Sequence, residues 1–119
     1  MSLNTSLPFS KIRRAGGLVF LSGELPLNAD GSIPEGISAQ TDLTLQRIGA
    51  TLADAGLTLA DVVQVTVYLS HQEDFASFNE IYRRHFSAPF PTRTTVVAAL
   101  VVPSARVELT VVAAEPTPS

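Results

Sequence analysis

The stretch PTRTTVVAALVVPSARVE, from Pro91 to Glu108, reads as two apolar strands in succession, and its reading decides how the sheet is closed. A turn centred near Val101 and Val102 would fold it into an antiparallel hairpin with Thr95 directly opposite Glu108. Side chains alternate faces along a strand, so Arg93 and Thr95 share a face and the hairpin would bring Glu108 to the same side. The segment Thr94–Val102 is apolar on both faces. One face of the sheet therefore needs helices, and the other needs a cover such as a partner's sheet.

Working outward, Ile12–Arg14 and Leu18–Leu21 flank Gly16-Gly17 and predict two short strands around a tight turn. Asp30-Gly31 marks a second turn. From Ser38 to Ala55, Leu45, Ile48, Leu52 and Ala55 recur at helical spacing, with Gly56 as the stop. Leu59–Leu69 reads as a strand with Val63, Val65, Val67 and Leu69 on one face, and Val62, Gln64, Thr66 and Tyr68 on the other. A second helix is predicted from Asp74 to Phe86, burying Phe75, Phe78, Tyr82 and Phe86. Asp74 favours its dipole, and Pro89 and Pro91 forbid its continuation. The order is ββ-α-β-α-ββ, an α+β single domain over residues 1–119 whose two helices cover one face of a mixed sheet. Residues 8–114 form the expected ordered core, and Glu115–Ser119 are expected to fray.

Composition narrows the function. A 119-residue chain that is 45% hydrophobic and only 16% charged is apolar for so small a domain, which again points to burial against another subunit. A net charge of −3 argues against nucleic acid, and the pairs Arg13-Arg14 and Arg83-Arg84 read as solvated faces. There is no cysteine, hence no disulfide, thiolate nucleophile or zinc–thiolate site. MSLNTSLPFS lacks the basic start and apolar core of a leader, and no apolar run reaches membrane-spanning length. The expectation is a cytoplasmic protein without membrane contact, in which the sequon Asn4-Thr5-Ser6 carries no meaning.

The candidate chemistry rests on few residues. Arg93, entering an apolar strand, is either a surface arginine closing a salt bridge to Glu108 or a fork for a substrate carboxylate, a task its planar guanidinium suits better than a lysine. Glu108, between Val107 and Leu109, must be paired, solvent-facing or functional, because burying a lone carboxylate is costly. Partial burial would make it a better proton acceptor near neutrality. His71 and His85 are too far apart in sequence for a local metal motif, and Ser22-Gly23 lacks a nucleophile-elbow context. No phosphate loop, dinucleotide fingerprint or metal cluster is present, so no cofactor and no metal are expected.

These residues resemble the RidA/YjgF family of reactive-intermediate deaminases, also called the L-PSP family. The resemblance runs from about Pro8 to Ala114. It rests on Pro8-Phe9-Ser10, Gly17-Leu18-Val19-Phe20-Leu21-Ser22-Gly23, Leu25-Pro26, Gln40-Thr41, Asp61-Val62-Val63 and Thr66-Val67-Tyr68-Leu69. It continues through Phe75, Asn79, Tyr82 and Phe86, then Phe90-Pro91-Thr92-Arg93 and Val107-Glu108-Leu109.

The resemblance implies a chorismate-mutase-like fold and a homotrimer with clefts between subunits. It also implies cofactor-free hydrolysis of small 2-imino acids, or their enamine tautomers, to 2-keto acids and ammonia. Arg93 would then clamp the substrate carboxylate and Glu108 handle the proton. Phe9, Ser22, Gly23, Thr95 and Asn79 would line the cleft. Well-studied members carry tyrosine at Phe9, cysteine at Thr95, glutamine at Glu24 and a second glutamate at Thr110, so substrate choice differs or a sister subfamily is represented. A non-catalytic carrier of small carboxylates, and deamination of a pathway-specific aminoacrylate, are the alternatives.

Overall fold

The computed structural model describes residues 7–117. Met1–Ser6, with the sequon and the start of the leader reading, and Pro118 and Ser119 lie outside the described residues.

Two short strands, β1 (Ile12–Ala15) and β2 (Leu18–Leu21), pair antiparallel around Gly16-Gly17. Both glycines have positive φ, 58° and 79°, so the two-residue turn uses a backbone that side-chain-bearing residues rarely adopt. Helix α1 (Ile37–Asp54) stops as expected at Gly56, whose φ of 79° lets Leu57 N–H donate to the Leu52 carbonyl (2.8 Å) and Gly56 N–H to Ala53 (3.0 Å). β3 (Val62–Leu69), α2 (Phe75–His85), β4 (Thr92–Val97) and β5 (Val107–Ala114) follow, reproducing the order ββ-α-β-α-ββ.

The sheet order is β1-β2-β5-β3-β4, with β3 and β4 parallel and the other pairs antiparallel. The expected hairpin of β4 and β5 does not form, because β3 lies between them. α2 serves as the crossover that returns the chain parallel to β3, on its outer side. β5 then takes the inner side of β3. Residues 98–106 are the long connection between these positions, and Val101 lies in it, 94% exposed.

That connection is firmly held. Arg106 Nε donates to the buried Asp74 carboxylate (2.7 Å), and the Arg106 backbone N–H donates to Gln40 Oε1 (2.7 Å). Gln40 Nε2 in turn donates to the Pro34 and Ser104 carbonyls. The start of β5, and with it Glu108, is thereby fixed to both helices' N-terminal ends.

The core lies between the helices and one sheet face. Leu45, Ile48 and Leu52 of α1 and Phe78 and Tyr82 of α2 pack on Val19, Val65, Val67, Val107, Leu109 and Val111. β5 alternates strictly: odd-numbered residues are buried, even-numbered ones half-exposed. β3 departs from the predicted alternation, because a bulge between Val62 and Gln64 turns Val62 into the core and leaves Val63 exposed. Phe75 also departs from its predicted stripe: it is 45% exposed. Glu115, placed by the sequence in a fraying tail, donates its N–H to the Gly17 carbonyl (2.8 Å) and pairs with Arg14 (3.4 Å).

Candidate active site

Strand register sorts the site residues onto faces. Arg93 sits opposite Val65 and Thr95 opposite Val67, so both belong to the helix-covered side of the sheet. Glu108 sits opposite Tyr68, which in turn neighbours Val96, all on the open side. Arg93 and Thr95 share a face as expected, but Glu108 does not join them, and the residue two strands across from Thr95 is the buried Leu109. The inserted β3 shifts the pairing and places the cation and the acid on opposite faces of the sheet.

Around Arg93, α2 presents an aromatic shelf. The guanidinium carbon lies 4.8 Å from the Tyr82 ring centre, 5.5 Å from Phe78 and 5.7 Å from Phe75. Each such contact contributes on the order of 0.5–2 kcal/mol, enough to hold the group in place. The guanidinium closes no ion pair among the described residues. Beside it opens a cavity of about 410 Å³ lined by Asn79, Tyr82, Arg83, Phe90, Pro91 and Arg93. Asn79 Oδ1 and Tyr82 Oη are buried without hydrogen-bond partners among the described residues. Burial pushes the Tyr82 phenol upward, only partly opposed by Arg93, so the hydroxyl remains a donor at neutral pH. A cation with free N–H groups beside an orphan hydroxyl and an orphan amide oxygen suits a planar anion carrying a further polar group.

Glu108 is shaped differently. Gly23 lies against it so closely that a Cβ at that position would collide with Glu108 Oε2. Glycine is thus required for the close approach, and a backbone rather than a side chain walls the acid. Burial raises the Glu108 pKa above its ordinary value. A cleft of about 290 Å³ nearby is lined by Leu7, Phe9, Lys11, Ser22, Gly23, Glu24 and Arg47. Ser22 Oγ donates to the Ser10 carbonyl (2.6 Å), pinning the segment that carries Phe9 to the strand end that carries Gly23. Glu24 meets Arg47 at 2.6 Å, and Arg47 also donates to the Leu27 carbonyl (2.7 Å), so the negative charge is compensated within the chain.

The seven sequence-predicted residues therefore fall into two clusters. Phe9, Ser22, Gly23 and Glu108 make one; Arg93 and Asn79 make the other, with Thr95 two residues further along β4. Tyr82 and Phe90 were not singled out for the site. The available signal was spacing: Asn79 and Tyr82, three apart, share a helix face with the stripe that meets Arg93. His71 bonds Ser70 Oγ through Nδ1 (2.7 Å) and His85 bonds Asp42 (2.8 Å), both away from these clusters. Among the described residues no group of three or more His, Asp or Glu is placed to hold a metal ion. No helix is long and apolar enough to cross a membrane.

Comparison with known proteins gives a consistent result. Residues 1–115 match the family model described as Endoribonuclease L-PSP. Protein mmf2, mitochondrial, of Schizosaccharomyces pombe is 34% identical over 111 residues, covering 91% of this chain and 88% of that protein. Reactive Intermediate Deaminase A, chloroplastic, of Arabidopsis thaliana is 35% identical over 108 residues, covering 89% of this chain and 58% of that protein. The crystal structure of Escherichia coli TdcF with bound serine superimposes with a TM-score of 0.84 at 30% identity, covering 92% of this chain and 89% of that one.

Proposed function

The chain belongs to the L-PSP, or RidA/YjgF, family of reactive-intermediate deaminases, and on that premise we propose that it hydrolyses small 2-imino acids or their enamine tautomers to 2-keto acids and ammonia. The observation that carries this reading is the Arg93 guanidinium, held on an aromatic shelf with no anionic partner among the described residues. Such a group is a preorganised receptor for a carboxylate.

Because Arg93 and Glu108 of one protomer face opposite ways, the working cleft is proposed to form between copies in a homotrimer. Arg93, Asn79, Tyr82 and Thr95 come from one subunit; Phe9, Ser22, Gly23 and Glu108 come from its neighbour. The open sheet face, with Leu18, Phe20 and Val96 exposed, is the surface such an assembly would cover.

In this cleft Arg93 fixes the substrate carboxylate and so places C2 beside Glu108. The Glu108 carboxylate accepts a proton from water as the water oxygen bonds to C2. The C=N π-electrons move to nitrogen, which takes that proton from Glu108, giving a tetrahedral carbinolamine and restoring the carboxylate. Glu108, as the relay, then moves the hydroxyl proton to the amine; the C–N bond breaks, the carbonyl forms and ammonia leaves. A raised Glu108 pKa suits both the acceptance and the return of the proton. The imine is already electrophilic, and no step calls for a cofactor.

The test is a coupled assay in which an amino-acid oxidase generates imines and semicarbazide traps what remains. Wild type is expected to accelerate imine loss, Arg93→Ala to abolish the acceleration and Glu108→Gln to cut it about 10³-fold. Mixing the two variants as reassembled subunits should restore about a quarter of the wild-type clefts, since a random pairing across a head-to-tail interface reunites Arg93 with Glu108 that often. No recovery, with sedimentation showing mixed trimers, would refute the shared cleft.

A second reading follows from the same facing geometry: one protomer offers the carboxylate receptor without the acid, as a carrier of carboxylates would. Unchanged ligand affinity in Glu108→Gln with no wild-type turnover would favour it. An RNase role, despite the family model's description, finds no support in a net charge of −3. We place the enzyme in the cytoplasm, although the fission-yeast relative is mitochondrial, and imaging of a tagged chain checks this.

A further inference from the structure

The connection 98–106 ends in a knot of hydrogen bonds. Gln40, buried in the first turn of α1, donates from Nε2 to the Pro34 carbonyl (3.0 Å) and the Ser104 carbonyl (3.2 Å). Its Oε1 accepts the Arg106 backbone N–H (2.7 Å). Both donors of the amide are used, and one side chain ties the connection to α1 at Ser104 and at Arg106. The Arg106 carbonyl accepts the Ser70 N–H just past β3 (3.0 Å), and Arg106 Nε reaches the buried Asp74 that precedes α2 (2.7 Å). Two helices and a strand thus converge on the residue two places before Glu108.

Packing gives this point little help on its outer side. A cavity of about 780 Å³ opens there, with Gln40, Ser104, Ala105 and Arg106 in its wall. Pro103 and Ser104 are exposed, so the connection has room to swing once its hydrogen bonds are lost. Glu108 is the second residue of β5, and strand ends open before strand centres. Its carboxylate closes no ion pair among the described residues. It stays against Gly23 only while the strand beneath it keeps its course.

Resting on the reading of Glu108 as the proton relay, we infer that Gln40 is a positioning residue for the reaction. With Arg106 and Asp74 it keeps the first residues of β5 from opening, and so holds the Glu108 carboxylate against Gly23. Gln40 acts through the strand and touches no substrate. Arg93 lies on β4 and on the other face of the sheet. Loss of Gln40 should therefore fall on the proton steps and spare the binding of the carboxylate.

The experiment replaces Gln40 by methionine, which is similar in length but makes none of these bonds. In the trapping assay Gln40→Met is expected to lower kcat about tenfold and to change KM by less than about twofold. The acidic limb of the kcat/KM profile should also move down, toward the ordinary carboxylate range, because water reaches Glu108. The titratable or charged groups around Glu108 are Tyr68 opposite it on β3, Glu24 beyond Gly23, and Arg106 before it. Gln40→Met alters none of them, so a moved limb reports the surroundings of Glu108 itself. An unchanged kcat, or a lower kcat with the limb unmoved, overturns the inference; the second outcome is what a general loss of folded protein would give.

Arg106→Gln and Arg106→Lys serve if Gln40→Met does not fold, since Arg106 is partly exposed and both variants keep its backbone bonds. Glutamine loses the ion pair with Asp74 and should lower kcat about threefold or more, whereas lysine keeps the pair and should retain about half of the wild-type kcat. Equal effects of the two overturn the inference. If wild type turns over no imine, the deaminase reading fails, and the placement of Glu108 is judged by NMR titration of its carboxyl carbon. A titration moved to lower pH in Gln40→Met, or in Arg106→Gln relative to Arg106→Lys, upholds the positioning; an unmoved one overturns it.

Discussion

The Arg93 cluster and the Glu108 cluster solve opposite problems with opposite means. Around Arg93 the difficulty is holding a cation steady without neutralising it, and side chains do so: three aromatic rings of α2 support the guanidinium within 4.8–5.7 Å. Around Glu108 the difficulty is keeping an acid partly dry, and backbone does so, with Gly23 pressed against the carboxylate. One cluster withholds a counter-ion; the other withholds water. Within one chain the two lie on opposite faces of the sheet, so neither alone holds both the cation and the acid.

Removing the acid should have the largest effect and separates function from stability. Glu108→Gln is expected to lower kcat/KM about 10³-fold, the scale of a lost general acid–base group. The same change should stabilise the fold at neutral pH. The Glu108 pKa is raised in the folded chain, so the stability its protonated form contributes is complete below the ordinary value near 4.5 and is lost as pH rises through the raised one. The melting temperature of Glu108→Gln should therefore exceed that of wild type at pH 7 and approach it at pH 4. Equal differences at both pH values would mean that the acid is not desolvated. The acidic limb of the wild-type kcat/KM profile should likewise fall above the ordinary carboxylate range and vanish in the variant.

On the cation side, Arg93→Lys is expected to cost about 10²-fold in kcat/KM, because an ammonium keeps the charge but loses the fork. The loss should appear mainly in KM if the clamp acts alike on substrate and transition state. Gly23→Ala comes next, at roughly tenfold. A methyl there must push Glu108 aside, so the loss should fall on kcat and shift the acidic limb. An unchanged pH profile in Gly23→Ala would break the claim that backbone walls the acid.

How far the sequence carries this account depends on which interactions are local. Helix limits were readable because Gly56 ends α1 and Pro89 and Pro91 bar α2 from extending, both short-range effects. The Gly16-Gly17 turn was readable for the same reason. Strand neighbours were not, because alternation in Thr92–Val97 and Val107–Ala114 announces strands without saying what lies between them. The insertion of β3 reversed the facing of Glu108 relative to Arg93, the two residues whose chemistry the sequence singled out. The Val62 bulge and the exposed Phe75 were hidden likewise, since each is set by tertiary contacts rather than by period. Tyr82 read as one more core aromatic because helical spacing groups it with Asn79 on one face but does not show that this face meets Arg93.

The smallest effect is expected at Glu24, and it tests the boundary of the Glu108 cluster. An added carboxylate beside Phe9, Ser22 and Gly23 would repel an anionic substrate if it stood free. It does not stand free: Arg47 holds it at 2.6 Å, and Arg47 is itself anchored on the Leu27 carbonyl. The pair is nearly neutral when viewed from the cleft, and Glu24 is mostly buried. Glu24→Gln should therefore change KM by less than about twofold, whereas Arg47→Leu, which strands the carboxylate, should raise it several-fold. Were Glu24→Gln instead to lower KM strongly, the carboxylate would have to be acting on the substrate through its ion pair. The Glu24–Arg47 pair would then belong to the site itself rather than mark its edge.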